Sequence, residues 1–187
     1  MKKIKFGAVL LVAFLLFIGC KQQQARMPVS RTSGEFLKAS AERNKKIIKG
    51  EEGRIDSIIK SNPSIKYIAS QNGYWYYYET KNDRDTLRPK KGDVANFDYE
   101  IKDIQGNVIY SELELQSQTY IVDKQNILMG LRHGIKLMRK NEKVTFLFPS
   151  HMAYGYHGDN RRIGTNEPII CTVSLTDFKP VTKTTQE

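Results

Sequence analysis

NILMGLRHGIKLMRKNEKVTFLFPSHMAYG, residues 126–155, is the stretch that decides the fold. Ile127, Leu131, Ile135 and Met138 step by four, four and three, which is the spacing of one apolar helical stripe. Arg132, Lys136, Arg139 and Lys140 cover the other side and gather toward the C-terminal half, where cations suit the helix dipole. After Lys143 the period changes to two. Val144, Phe146 and Phe148 share one face of a strand that stops at Pro149.

On the C-terminal side, AYGYHGDNRRIGTNEPII (153–170) is too irregular for a helix and too aromatic for an ordinary solvated loop. Taken alone it reads as a long surface loop with a buried tyrosine. IICTVSL then forms the last strand, with Ile169, Cys171, Val173 and Leu175 facing one way. On the N-terminal side, GYWYYY (73–78) is an aromatic strand, followed by a charged loop through Pro89. VANFDYEI alternates, placing Ala95, Phe97, Tyr99 and Ile101 on one face; DIQGNVIYS supplies a glycine turn and a strand, and TYIV a further short one. These elements predict an α+β domain over 73–178, an antiparallel sheet wrapped on one short helix, with 179–187 as a tail.

The N-terminus is of another kind. MKKIKFGAVLLVAFLLFIGC has three lysines, then an apolar run from Phe6 to Gly19 that is short for a membrane span, and reads as an export signal over 1–19. Gly19-Cys20 resembles the lipobox of bacterial lipoproteins, which makes Cys20 the expected lipidation site. Lys21, in place of aspartate, resembles sorting to the outer membrane, so the expected address is the bacterial envelope, facing the periplasm. Residues 20–34 are a polar tether. From Glu35 to Ser61, Phe36, Leu37, Ala41, Ile47, Ile48, Ile55, Ile58 and Ile59 recur at near-helical spacing and predict a helical arm. Gly50 and Gly53 leave open whether the arm is one helix or two broken at GEEG. Packing on its own domain is expected of such an arm; dimerisation is the alternative.

The net charge of +10 becomes +7 without the three leader lysines, and the basic residues are spread along the chain. That pattern reads as a solvated surface near anionic headgroups, not as a nucleic-acid site. With Cys20 acylated, Cys171 alone remains, so no intramolecular disulfide is expected. His133, His151 and His157 lack ligand spacing, which argues against a metal. Phosphate-binding glycine loops and Gly-x-Ser-x-Gly are absent, and Cys171 sits mid-strand as a small hydrophobe. An enzyme with this sequence needs no nucleophile, metal or cofactor.

KKGDVANFDYEI, QGNVIYSE, the 126–155 stretch and IICTVSL, in register over 92–178, together resemble an FKBP-type peptidyl-prolyl isomerase domain. The signatures are Gly-Asp before an aromatic-ended strand, a glycine turn, a Gly130-x-x-x-Gly134 helix, a Lys/Glu-rich turn and Pro-x-x-x-Ala-Tyr-Gly. Leader, lipobox, basic arm and domain together resemble the FKBP-type lipoproteins associated with gliding motility. The resemblance implies that Tyr154 closes one side of an apolar pocket for a prolyl ring and that the loop through Ile163 overhangs it. It implies a catalytic set of Tyr99, Tyr154 and the Leu128 backbone N–H, with Ile109, Tyr110, Ile127, Leu131, Ile163 and Cys171 binding substrate. Proline-containing proteins are the implied clients, with the membrane and an envelope complex as further partners.

The sequence departs from the family at the pocket. Ile109-Tyr110 stands for a Phe-Asp pair, so the pocket carboxylate is expected to be missing. Leu131 replaces a tryptophan, Cys171 an aromatic, and Ile163-Gly164-Thr165 an Ile-Pro-Pro. A wider, less rigid pocket with reduced activity is the expectation, and a chaperone or docking subunit on the same fold is the alternative to an enzyme.

Overall fold

The computed structural model describes residues 33–181. The leader, Cys20, the tether as far as residue 32 and tail residues 182–187 lie outside the described residues. The chain divides into two compact units, Met1–Ser40 and Ala41–Glu187. The second unit begins well ahead of residue 73, where the strand pattern alone would start the domain. It does so because the arm helix buries residues against it: Ile55 and Glu51 are each 1% exposed.

The arm is a single helix, α1 (Ser33–Ser61), which runs unbroken through Gly50 and Gly53. Of the two sequence readings, one helix is the observed one. A short pair follows, β1 (Ile68–Ala69) with β2 (Trp75–Thr80). Then come β3 (Val94–Lys102), β4 (Val108–Tyr110), a one-turn helix α2 (Glu112–Leu115) and β5 (Gln118–Ile121). The main domain helix α3 is Met129–Gly134, and β6 (Glu142–Phe148) and β7 (Ile169–Lys179) complete the chain. The strands form one seven-stranded sheet in the order β1-β2-β6-β7-β3-β4, with β5 also pairing with β3. Every pairing is antiparallel.

Alternation along β3 buries Ala95, Phe97 and Ile101, as its pattern requires. β6 differs from a one-sided strand: Thr145 and Leu147 are buried as well as Val144, Phe146 and Phe148. α2 was not foreseen, although Ser111 to Glu114 has capping spacing and the Ser111 hydroxyl accepts from the Glu114 N–H at 3.3 Å. The Gly-Asp signature is structural. Asp93, 7% exposed, accepts from the Lys90 N–H at 2.8 Å and the Val181 N–H at 3.0 Å, closing the strand entry against the segment that follows β7.

The helix expected from Ile127 to Met138 is shorter than its stripe. α3 covers six residues, tightens to a 3₁₀ turn over Ile135–Leu137, and Met138 is already extended. Leu131, Ile135 and Met138 are nonetheless fully buried, so the stripe is a core face carried by two kinds of turn. Gly134 at the junction and the packing beneath it account for the change. Phe146 and Phe148 lie stacked, ring centroids 5.3 Å apart and planes 9° apart. A Cβ at Gly130 would meet the Phe148 ring at 2.6 Å, and one at Gly134 the Phe146 ring at 2.7 Å. The Gly-x-x-x-Gly spacing is thus a contact surface, and only hydrogen at both positions lets the backbone rest on the rings.

Glycines in the two helices therefore have opposite outcomes on substitution. Gly130→Ala should destabilise by about 1–3 kcal/mol through overpacking. Gly53→Ala, with nothing within 4 Å of the added Cβ, should stabilise by up to about 1 kcal/mol from helix propensity. Urea unfolding of the two variants beside the parent measures both signs.

Candidate functional site

α3 meets β3 and β5 across an open hollow of about 470 Å³. It is lined by Phe97, Tyr99, Tyr120, Ile127, Leu128 and Leu131 together with the polar Gln118, Thr119, Gln125 and Asn126. Leu131 is fully buried, whereas Tyr99, Ile127 and Leu128 are half-buried and present surface. Ile127 and Leu128 do so because they precede the helix. Leu128 is the N-cap in an extended conformation, and no side chain caps it. Among the described residues its N–H has no acceptor, while its carbonyl takes the Arg132 N–H at 2.9 Å.

Tyr154 stands beside this hollow, half-buried, at the exit of a 3₁₀ turn over Ser150–Met152. Burial pushes its hydroxyl well above the ordinary tyrosine value, and the neighbouring Tyr99, Asp159, Cys171 and Tyr110 add to the shift. Tyr99 is raised in the same way, chiefly by burial. Neither hydroxyl has a hydrogen-bond partner among the described residues. Cys171 is completely buried on β7, and burial drives its thiol far from ionisation.

The loop after Tyr154 is tied down at one point. Asp159 Oδ1 accepts the N–H groups of Arg161, Arg162 and Ile163 at 2.8, 3.0 and 2.9 Å, and Oδ2 accepts the hydroxyl of Tyr110. Arg162 lies over the Tyr110 ring, 4.8 Å from its centroid, and donates to the Ile109 carbonyl and to Glu114, at 2.7 and 2.8 Å. Gly158, at φ +65°, permits the fold-back: a Cβ there would meet the Ile163 carbonyl oxygen at 2.2 Å. Burial alone would raise Asp159. The Tyr110 hydroxyl and the backbone N–H groups outweigh it and hold the carboxyl at about 2.

Residues 86–176 match the family described as FKBP-type peptidyl-prolyl cis-trans isomerase. That span is an FKBP-type domain. A relative from Haemophilus influenzae, described as a probable FKBP-type peptidyl-prolyl cis-trans isomerase, is 27% identical over 143 residues, 76% of this chain. The match takes in 57% of that relative's length. Among solved structures, FkpA from Escherichia coli superposes with a TM-score of 0.59 at 21% identity, covering 97% of this chain and 84% of that one. A peptidyl-prolyl cis-trans isomerase from Pseudomonas syringae pv. tomato gives 0.58 at 18% identity, over 73% of this chain and 96% of that one.

Within the FKBP-type domain, the hollow collects four of the residues expected from the sequence: Tyr99, Ile127, Leu128 and Leu131. Tyr154 and Cys171 adjoin it through Tyr99. Ile163 is 3% exposed and Tyr110 7%, so both serve the loop and the core more than an open wall. Ile109 contributes its carbonyl to Arg162. No carboxylate is among the residues lining the hollow; Asp159, from the loop after Tyr154, bonds the Tyr110 hydroxyl outside it. Asp159, Arg162, Tyr120 and Gln118 were not singled out in the sequence, and Phe97 was read only as part of the strand's apolar face. Gly158-Asp159-Asn160 carried a usable signal, since an aspartate after glycine in a loop commonly bonds its own backbone two residues on.

The depressed Asp159 gives the loop a signed pH dependence. Its folded value of about 2 lies below the ordinary 3.8. The stabilisation is therefore complete above about pH 4 and is lost as pH falls toward 2. Thermal melts between pH 2 and 5 should show a steeper acid decline for the parent than for Asp159→Asn.

Proposed function

We propose that this chain is a peptidyl-prolyl cis-trans isomerase acting on exported or envelope proteins, held to the membrane through a lipid on Cys20. The observation that carries the activity is the hollow lined by Tyr99 and Leu128, whose hydroxyl and N–H have no partner among the described residues, with the equally unpartnered hydroxyl of Tyr154 near Tyr99.

The chemistry needs no proton transfer to the reacting bond. Amide resonance sets a barrier of about 18–20 kcal/mol, and an unaided X–Pro bond turns over in roughly 10–100 s. The twisted transition state has lost that resonance and is less charge-separated than the planar form. A hollow walled by Phe97, Tyr99, Ile127 and Leu131 favours it over the ground state, which is differential binding. The Leu128 N–H and the Tyr154 hydroxyl hold the flanking carbonyls and fix the turn. A tyrosine hydroxyl is protonated throughout the neutral range, so Tyr154 is a donor there.

The hollow is sized for a small ligand more than for one pyrrolidine ring, in keeping with Leu131 and Cys171 in place of larger side chains. Turnover slower than that of the aromatic-walled family pattern follows. The alternative, a chaperone or docking subunit on this fold, shares the binding surface without the rate. The link to gliding motility rests on the sequence resemblance of leader, arm and domain.

Tyr154→Phe keeps the ring and removes one donor, about 0.5–1.5 kcal/mol, so turnover of a proline-limited folding substrate should fall roughly two- to twelve-fold. Its unfolding midpoint should stay at the parent value. Peptide binding at Tyr99, Leu128 and Tyr154 with no turnover by the parent would select the chaperone reading.

The anchor is tested separately. Cys20→Ser should abolish acyl labelling and move the protein out of the membrane fraction of a bacterial host. Parent-like labelling of that variant would remove the anchor from the proposal.

A further inference from the structure

We propose that Glu51, on the arm helix α1, is a positioning residue for Tyr154. Its carboxylate is 1% exposed, and its two hydrogen bonds run to a single residue of the FKBP-type domain. Oε2 accepts the Ser150 N–H at 2.7 Å, and Oε1 accepts the Ser150 hydroxyl at 2.8 Å. Burying a carboxylate is costly, and these charge-assisted bonds are what offset the cost. The position is therefore a specific fastening more than a general packing contact.

Ser150 is the pivot of the turn that presents the tyrosine. Its carbonyl accepts the Ala153 N–H at 2.9 Å and the Gly155 N–H at 2.8 Å, the residues on either side of Tyr154. The Gly155 carbonyl in turn takes the Asn166 N–H at 2.9 Å. Glu51 fixes the donor side of Ser150, Ser150 fixes both neighbours of Tyr154, and the ring has no hydroxyl bond of its own to fix it. A second contact supports the same path. Ile47 and Ile48 of α1 line a cleft of about 170 Å³ with Ser150, Gly155 and Asn166, so the helix flanks the turn over more than one point. The FKBP-type family match begins at residue 86 and leaves this helix out. The arm thus supplies part of the site's rigidity from outside the family domain.

The kinetic side of the test rests on the isomerase reading; the exchange side does not. The full mature chain is compared with Glu51→Ala, Glu51→Gln and a neighbouring control, Glu52→Ala. Expected for Glu51→Ala are amide exchange faster by on the order of ten-fold at Ala153 and Gly155, with Val173 and Cys171 of the sheet unchanged. A roughly two- to ten-fold loss of kcat/KM, mainly in KM, should accompany it. Glu51→Gln, which can still accept the Ser150 N–H and donate to its hydroxyl, should restore most of both. In a Tyr154→Phe background the kinetic effect of Glu51→Ala should disappear. If Glu51→Ala does not fold, Ser150→Ala removes one of the two bonds and should give the same local pattern at smaller size. Exchange that accelerates throughout the sheet, or a kinetic effect undiminished in the Tyr154→Phe background, would overturn the proposal. No turnover by the parent would remove the isomerase reading, while exchange at Ala153 and Gly155 would still decide the role of Glu51.

Discussion

The rest of the domain depends on two backbone positions lying directly on two rings. Gly130 and Gly134 have no room for a methyl group over Phe148 and Phe146. That contact sets the height of α3 above the sheet, and the height sets the depth of the hollow in front of it. Leu131, between the glycines, is pressed into the floor, while Ile127 and Leu128 are left at the rim. The stacked rings are themselves held by Tyr74, which meets them edge-on at 6.0 and 5.4 Å. A chain of van der Waals contacts thus runs from the N-terminal strands to the side of α3 that faces the hollow, and rigid packing transmits it.

The candidate site is assembled from pieces far apart in sequence, each restrained by a different means. α3 is restrained by sterics. The loop after Tyr154 is restrained by electrostatics, with Asp159 gathering three N–H groups and a phenol, and Arg162 gripping α2 and β4. The turn carrying Tyr154 is restrained by the arm. These restraints leave the Tyr99 and Tyr154 hydroxyls and the Leu128 N–H without a protein partner among the described residues, open to water or to a ligand that supplies carbonyls.

Most of this architecture was legible in the sequence, and the exceptions share a cause. Periodicity finds elements that bury a face, so β3, β6, β7 and the stripe Leu131–Ile135–Met138 were recoverable. The glycine motif marked the helix that rests on the Phe146 and Phe148 rings. Asp159 and Arg162 were missed because their partners, Tyr110 and Glu114, are about fifty residues away in a loop-to-strand contact without period. Glu51 was missed for a similar reason: GEEG looks like a helix weakness, and nothing local says that one of its carboxylates is buried ninety-nine residues from its partner. α3 was drawn too long because a stripe of buried residues does not distinguish an α turn from a 3₁₀ turn.

The place of β7 has a consequence for how the chain comes into being. It lies in the middle of the sheet, between β6 and β3, yet it is the last strand in sequence. Until residues 169–179 have been synthesised, β3 and β6 have nothing between them, and the two halves of the sheet cannot be joined. Pairs such as Ala95 with Phe178 close very long loops, and such contacts form late and slowly. The nascent chain therefore remains without its central seam for nearly its whole length. The sheet can close only once its final strand is available, whatever the earlier strands have already paired with.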